Sequence, residues 1–327
     1  MKKLYISLIL LLVHSALCFS AVPKWLVNLE KEFPTEKYIR ATGEGNSEIS
    51  AKQAALAELS TYFSASVEYE TYAHNYKSQN NSEYSSNSSI TQDIMVTGSS
   101  DLFAIHYTQC YYDKKGKKYS VCAYINKEET FNILSKKLSS YEQDFYQKAK
   151  LTKTANDDFR KIKILNDAVS NEAEIKKIYE YSQLIDYKKS QKFDDFLLQL
   201  NEAKNTLFKL KQSNPVSVFT DGDYSEQIKS IISKVLTENG FVISKNADYK
   251  IRVNSSFYIS ERITEQDEIF SCKPSIYVVI ESKTTTISSC VLSTEEISSY
   301  DSQTLMRMTF SRIEELLNEK LILSLFN

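Results

Sequence analysis

Between Gly116 and Pro215 the chain contains neither a glycine nor a proline. These residues most often stop a helix or bend the backbone, so their absence over so long a stretch favours continuous helices. The apolar residues carry the matching period. Phe131, Leu134, Leu138, Tyr141 and Phe145 recur at spacings of three and four, as do Phe159, Ile162, Leu165 and Val169. Ile175, Ile178 and Tyr179 follow, then Phe193, Phe196, Leu197, Leu200, Leu207 and Leu210. Such spacing lays an apolar stripe along one helical face. Residues 127–212 are therefore predicted to form antiparallel helices, a bundle or spacer without the fixed period of a helical array.

The flanking segments carry strand signals. In residues 21–126, Tyr38–Thr42 is predicted to be a strand, closed by Gly43-Glu44-Gly45. Asn46 or Ser47 can cap a helix running through Ser64, whose Ala51, Ala54, Ala55 and Ala57 let it lie close on a sheet. The alternation of Val67, Tyr69, Thr71 and Ala73 predicts a further strand. After a polar stretch over 77–89, strands at Ile90–Thr97, Leu102–Tyr112 and Lys118–Ile125 complete an antiparallel meander. Residues 213–327 open with a strand at Val216–Phe219, a turn over 220–223, and a helix from Tyr224 to Glu238 stopped by Asn239-Gly240. Strands at Phe241–Ile243 and Tyr249–Ile259, a loop through Cys272, and a hairpin of Ile276–Ile280 with Thr285–Leu292 follow. A closing helix carries Leu305, Met308, Ile313, Leu316, Leu317 and Leu321. The expected fold class is α+β: an N-terminal strand–helix–antiparallel meander module, a central helical bundle, and a small C-terminal α/β domain.

Residues 1–20 have the layout of a secretory signal peptide: Lys2 and Lys3, an apolar run from Leu4 to Val13, then small residues at Ser15, Ala16, Cys18 and Ser20. The run falls short of the roughly twenty residues that span a bilayer, and the apolar tail Leu321–Phe326 is shorter still. Cleavage after Ser20 would expose Ala21. The expected localisation is exported: periplasmic or associated with the outer membrane. Beyond Lys2 and Lys3, the other basic residues are outnumbered by 42 acidic ones, which argues against a nucleic-acid footprint. Tyrosine, at 22 residues, outnumbers glycine and proline combined and suits strands with one wet face.

An exported chain places its cysteines in an oxidising compartment, where Cys110, Cys122, Cys272 and Cys290 could form two disulfides. Cys110 and Cys122 flank the turn Asp113–Lys118. A loop of three or five residues would set them opposite one another, near disulfide distance, whereas an even loop would shift the register and lose the pair. Cys272 and Cys290 fall several residues out of register about a turn near Ser282-Lys283.

Residues with a recognisable chemical pattern are scarce. Gly43-Glu44-Gly45 lacks the third glycine of a dinucleotide fingerprint, because Glu48 stands in its place. Only His74 and His106 lie beyond the signal segment, with no Cys-x-x-Cys or His-x-x-x-His spacing to hold zinc. No Gly-x-Ser-x-Gly elbow occurs. The carboxylate pairs Asp157-Asp158, Asp194-Asp195 and Glu314-Glu315 lie on predicted helices, as solvated faces do. No catalytic residue, metal ligand or cofactor is expected.

Pro23-Lys24-Trp25, Tyr38-Ile39-Arg40-Ala41-Thr42-Gly43-Glu44-Gly45 and the alanine-rich helix, with Tyr107–Asp113, Gly116 and Tyr119–Ile125, resemble the bacterial LPP-twenty lipoprotein family over residues 23–126. The resemblance implies an envelope scaffold or interaction module without an active site, facing the outer membrane. Its partners would be envelope proteins, some of them in motility structures. It also implies a lipid on a leader cysteine, for which Cys18 is the candidate. Leu17 stands where the attachment box has a small residue, and Ser15 where it has leucine. Residues 215–327 are more loosely similar, in element order, to small α/β domains of periplasmic accessory lipoproteins. A cell-wall polymer stacked on exposed tyrosines, or an enzyme of another type, are the competing readings.

Overall fold

The computed structural model describes residues 22–75, 104–263, 268–282 and 285–326. The elements, in order, are α1 (Lys24–Val27), α2 (Leu29–Glu32), β1 (Tyr38–Gly45), α3 (Glu48–Asn75), β2 (Ile105–Tyr107), β3 (Tyr111–Asp113) and β4 (Lys118–Asn126). They continue with α4 (Lys127–Thr154), α5 (Asp158–Ala168), α6 (Glu172–Ser190), a 3-10 turn (Gln191–Phe193) and α7 (Asp194–Ser213). The chain ends with β5 (Val216–Gly222), α8 (Ser225–Glu238), β6 (Tyr249–Ile263), β7 (Glu268–Glu281), β8 (Thr286–Ser293), β9 (Ile297–Ser299) and α9 (Ser302–Phe326). The α+β class is thus observed. The chain divides into two compact units, 1–138 with 177–192 and 139–176 with 193–327, so the helical stretch 127–212 is shared between them.

In the first unit β4 is central, antiparallel to β1 on one side and to β2 and β3 on the other. The α3 helix packs on β1 and β4. Ala51 and Ala55 are fully buried on its sheet side, where Ile39, Ala41, Val121, Ala123 and Ile125 are also buried. Gly43 and Gly45 lie within β1, where a turn was expected, and face this helix. A Cβ at Gly43 would collide with the backbones of Ala51 and Ala55, and one at Gly45 with Ser50 and Ala51. The two glycines therefore remove the side chains that would hold helix and sheet apart.

The expected strand at 66–73 is helical instead, because α3 runs on to Asn75. Neither glycine nor proline occurs between Gly45 and Gly98. An established helix gains one hydrogen bond per residue added, which outweighs the short alternation. The expected strand at Ile90–Thr97 lies outside the described residues. Within α6, Asp186 leaves helical geometry (φ −155°, ψ 92°) and its Oδ1 accepts the Lys189 N–H at 3.1 Å, so α6 is two helical segments separated by a kink at this carboxylate.

The second unit is built on the order β5-β6-β7-β8, with β9 pairing β7 beyond β8. β5 and β6 are parallel, joined through α8, and the remaining pairs are antiparallel. Gly222, with φ +89°, turns the chain from β5 toward α8, and Gly240, with φ +84°, follows the α8 C-terminus as the sequence predicted. Phe241–Ile243 forms a single bridge to Val216 rather than a strand. The segment expected as a loop through Cys272 belongs to β7. Pro274 is accommodated there because β7 changes partner at that point: Phe270–Cys272 pair with β9, Ser275–Glu281 with β8, and Lys273-Pro274 with neither.

The core of this unit gathers Val218, Ile251, Val253, Ile276, Val278 and Ile280 from the sheet. Ile228, Ile232 and Val235 enter it from α8, Leu305, Ile313, Leu317, Leu321 and Leu325 from α9, and Phe159, Ile162 and Leu165 from α5. Leu321, Ile322 and Leu325 of the apolar C-terminal tail are thus buried in the core. Lys211 lies at its margin, only 7% exposed. Its Nζ donates to the Asn239 carbonyl at 3.2 Å and to Asn166 Oδ1 at 3.4 Å, and sits 5.1 Å from the Phe241 ring centre.

Two outcomes follow from this packing. Gly43→Ala forces α3 off β1 and lowers unfolding stability by about 1–3 kcal/mol, read as a shift in denaturant midpoint. Burial depresses the Lys211 pKa below its ordinary value. The folded state then binds fewer protons than the unfolded one as pH rises from the depressed pKa toward about 10.4. Wild-type stability should gain relative to Lys211→Met across that alkaline window and show no change in the difference at neutral pH, as thermal melts at stepped pH would show.

Candidate functional site

The structure corrects the expected disulfide between Cys110 and Cys122. The Asp113 carboxylate accepts the Lys115 N–H at 2.9 Å and the Gly116 N–H at 3.0 Å, and Lys117 adopts φ +53°. Asp113 then pairs with Lys118, which leaves an even-membered loop, Lys114 to Lys117. Tyr111 falls opposite Ser120, so Cys110 lies alongside Val121, and the Cys122 carbonyl instead accepts the Thr108 N–H at 2.9 Å. Adjacent residues of a strand point to opposite faces. All four described cysteines are free. Cys272 pairs with Ile259 and Ile297, and Cys290 with Val278. Burial pushes the Cys122 thiol up to about 11, with the nearby Arg40 opposing it, and also raises the Cys110, Cys272 and Cys290 thiols. Cys18 lies outside the described residues.

His106 meets Glu129 at 3.0 Å and stacks on Tyr124, 5.4 Å between ring centres, in an aromatic group with Phe33 and Tyr38. No group of three or more His, Cys, Asp or Glu among the described residues could hold a metal ion. No described helix is long and apolar enough to cross a membrane.

The most distinctive surface is the outer face of the second unit's sheet. The helices α8 and α9 pack on β5, β6, β7, β8 and β9, on the side of Ile251, Val253 and Val278. Strand alternation then turns the intervening residues outward. The register aligns them in rows across the sheet. Phe219, Arg252, Val279 and Ser289 form one, and Asp221, Asn254, Tyr277 and Val291 the next. Ser256, Ser275 and Ser293 form a third, followed by Tyr258 with Lys273, and by Ser260, Ser271 and Ser298. Tyr258 is 72% exposed and Tyr277 46%. Arg252 donates through Nε to Glu281 at 2.7 Å, and its guanidinium carbon lies 5.6 Å from the Phe219 ring centre. Ser271 and Ser298 share a hydroxyl contact of 2.8 Å.

Chemically, this face offers aromatic rings for stacking, hydroxyls and an amide for hydrogen bonding, Lys250 and Arg252 near Glu281, and Lys273 and Arg262 farther along the sheet. The expected strands at Tyr249–Ile259, Ile276–Ile280 and Thr285–Leu292 are present, and tyrosine is expected on wet sheet faces. The sequence reading does not expect β9 or the 268–275 part of β7 as strands, and it does not single out Tyr258 and Tyr277. The signal for Tyr258 was present as polar residues alternating with apolar ones along Tyr249–Ile259.

No family model matches the chain, and no curated protein matches it in sequence. Among solved structures, it is similar to the secreted protein HP1454 of Helicobacter pylori, at 13% identity and TM-score 0.38, over 87% of this chain and 97% of that one. A minor lipoprotein of Acinetobacter baumannii aligns at 14% identity and TM-score 0.25, over 32% of this chain and 83% of that one. The rare lipoprotein B of Shewanella oneidensis aligns at 10% identity and TM-score 0.23, over 32% and 86%. These distant neighbours are bacterial secreted proteins or lipoproteins.

The cysteine assignment has a direct readout. In the folded chain a thiol-specific reagent should modify the half-buried Cys110 and Cys290, and reach the buried Cys122 and Cys272 only after denaturation. Protection of Cys110 together with a disulfide-linked peptide to Cys122 would contradict it.

Proposed function

We propose that this is an exported, non-catalytic interaction protein of the bacterial envelope, which presents the outer face of its C-terminal sheet to an envelope protein. The observation that carries the reading is that face: Phe219, Tyr258, Tyr277 and Val291 stand exposed amid serine, asparagine and basic side chains. Exposed aromatic residues and arginine are enriched at protein interfaces and among their hot spots. The signal-like pattern of residues 1–20 supports export, and the resemblance of residues 23–126 to the LPP-twenty lipoproteins supports the scaffold role. Attachment through a lipid on Cys18 is part of the same proposal.

A second reading has its own support. Tyr258 and Tyr277, beside rows of hydroxyls, could stack on the sugar rings of a cell-wall polymer. Capture from envelope extract and co-sedimentation with purified cell wall separate the two. The expected result is a specific captured protein, no sedimentation with bare wall at physiological salt, and capture reduced about tenfold or more in Tyr258→Ala/Tyr277→Ala. Sedimentation with wall that is lost in the double variant would move the assignment to the polymer. Capture unchanged in that variant would remove this face from the proposal. The mass of the N-terminal peptide from the native host tests the compartment: a free Ala21 or a lipidated Cys18 supports export, and a retained Met1 opposes it.

A further inference from the structure

Charge is spread unevenly over the outer face of the C-terminal sheet. The outward positions of β6, every second residue from Lys250 to Arg262, hold no carboxylate. Across β5, β6 and β7 the outward cations are Lys250, Arg252, Arg262 and Lys273, and the outward carboxylates are Asp221 and Glu281. Both carboxylates lie toward the start of β6, and Arg252 engages Glu281 at 2.7 Å. Arg262 and Lys273, toward the other end, enter no ion pair among the described residues. The helices behind the sheet have no such bias. On α8, Lys229 and Lys234 balance Glu226 and Glu238, and on α9, Arg307, Arg312 and Lys320 balance Glu314, Glu315 and Glu319. Past the Tyr258–Lys273 pair the face opens on a hollow of about 630 Å³, lined by Ser260, Ser271, Arg262, Ile269, Glu296 and Tyr300 among others. Tyr300 is 71% exposed, as open as Tyr258.

We infer that this end of the face receives an acidic segment of the partner, a polypeptide stretch whose carboxylates meet Arg262 and Lys273 and whose apolar side chains meet Ile269 and the tyrosines. The inference rests on the reading of this face as a protein interface and adds the chemistry of what docks there. Charge decides the sign of the ligand. The hollow and its approach present two cations without ion-pair partners, Arg262 and Lys273, against one carboxylate, Glu296. A basic segment would meet two like charges and one opposite. A carboxylate can accept two parallel N–H bonds from a guanidinium, a geometry that a neutral ligand does not complete. The hydroxyls of Ser260 and Ser271 are donors for the oxygen positions that remain. Ile269 lies opposite Arg262 in the same row and adds an aliphatic contact. That pairing of cation and aliphatic side chain suits a chain that mixes acidic with apolar residues better than a hydroxyl-covered polymer.

The test is fluorescence anisotropy with a labelled glutamate–leucine peptide, beside its glutamine–leucine counterpart and polygalacturonate as an anionic glycan. The wild type should bind the acidic peptide at low ionic strength and the neutral one more weakly, with affinity for the acidic peptide falling as salt rises. Arg262→Gln/Lys273→Gln should weaken the acidic peptide about fivefold or more, and Glu296→Gln should tighten it about twofold. All three positions are exposed, so the variants should keep the wild-type circular dichroism spectrum. No binding of the acidic peptide, equal binding of the neutral one, an unchanged affinity in the double variant, or weaker binding in Glu296→Gln would each overturn the proposal. Tighter binding of polygalacturonate than of the peptide would put the anion on a glycan and overturn the choice of a polypeptide. Capture from envelope extract separates this failure from that of the face itself. Capture that needs Tyr258 and Tyr277 but is indifferent to Arg262 and Lys273 refutes the acidic segment and leaves the face standing.

Discussion

Helices α8 and α9 cover only one face of the C-terminal sheet, and much of this unit's character follows from that one-sided burial. Strand geometry sends successive side chains to opposite faces, so covering one side fixes a chemical identity for both. Ile251, Val253, Val278 and Ile280 had to be apolar to meet α8 and α9. Arg252, Asn254, Tyr258 and Tyr277, one residue out of phase, were released from that demand. They are free to carry chemistry that has no use inside a core. The N-terminal sheet meets its helix under a tighter constraint, because Gly43 and Gly45 bring α3 to backbone contact. There the absence of side chains, rather than their packing, sets the distance between layers.

Backbone pairing explains why the potentially reactive groups remain separate. Cys110 and Cys122 are close in sequence and flank a hairpin turn, yet the even-membered loop that Asp113 organises leaves them out of phase. Cys272 and Cys290 occupy different ladders of the C-terminal sheet. Burial raises the pKa of each thiol, which lowers its reactivity as a nucleophile. Among the described residues, the surface with the most varied exposed chemistry is therefore the outer face of the C-terminal sheet.

Particular elements show where local signals sufficed. Residues 127–213 became α4 to α7, since their helical character rests on residue type and period, although the same Gly- and Pro-free stretch also holds β4. Asn239-Gly240 marked the end of α8 because the left-handed turn there is a local requirement met by glycine. Local signals failed where a longer-range competitor prevailed. The alternation at Val67–Ala73 was absorbed into α3, whose cooperative extension met no breaker. The Cys272 segment with its proline was misread because the gap between β8 and β9 that tolerates Pro274 arises only when three strands assemble. The glycines of β1 were legible as special positions, but the helix backbone they accommodate was not.

By itself the sequence determined the α+β class, the helical middle and the parity rule that would make or break the Cys110–Cys122 pair. It carried these because each depends on residue type, period or spacing within a few turns of chain. Tertiary structure decided which parity the hairpin adopted and which sheet face stayed open. Those outcomes depend on strand order and on where α8 and α9 dock. Both are set by contacts between residues distant in sequence, and period alone does not specify them.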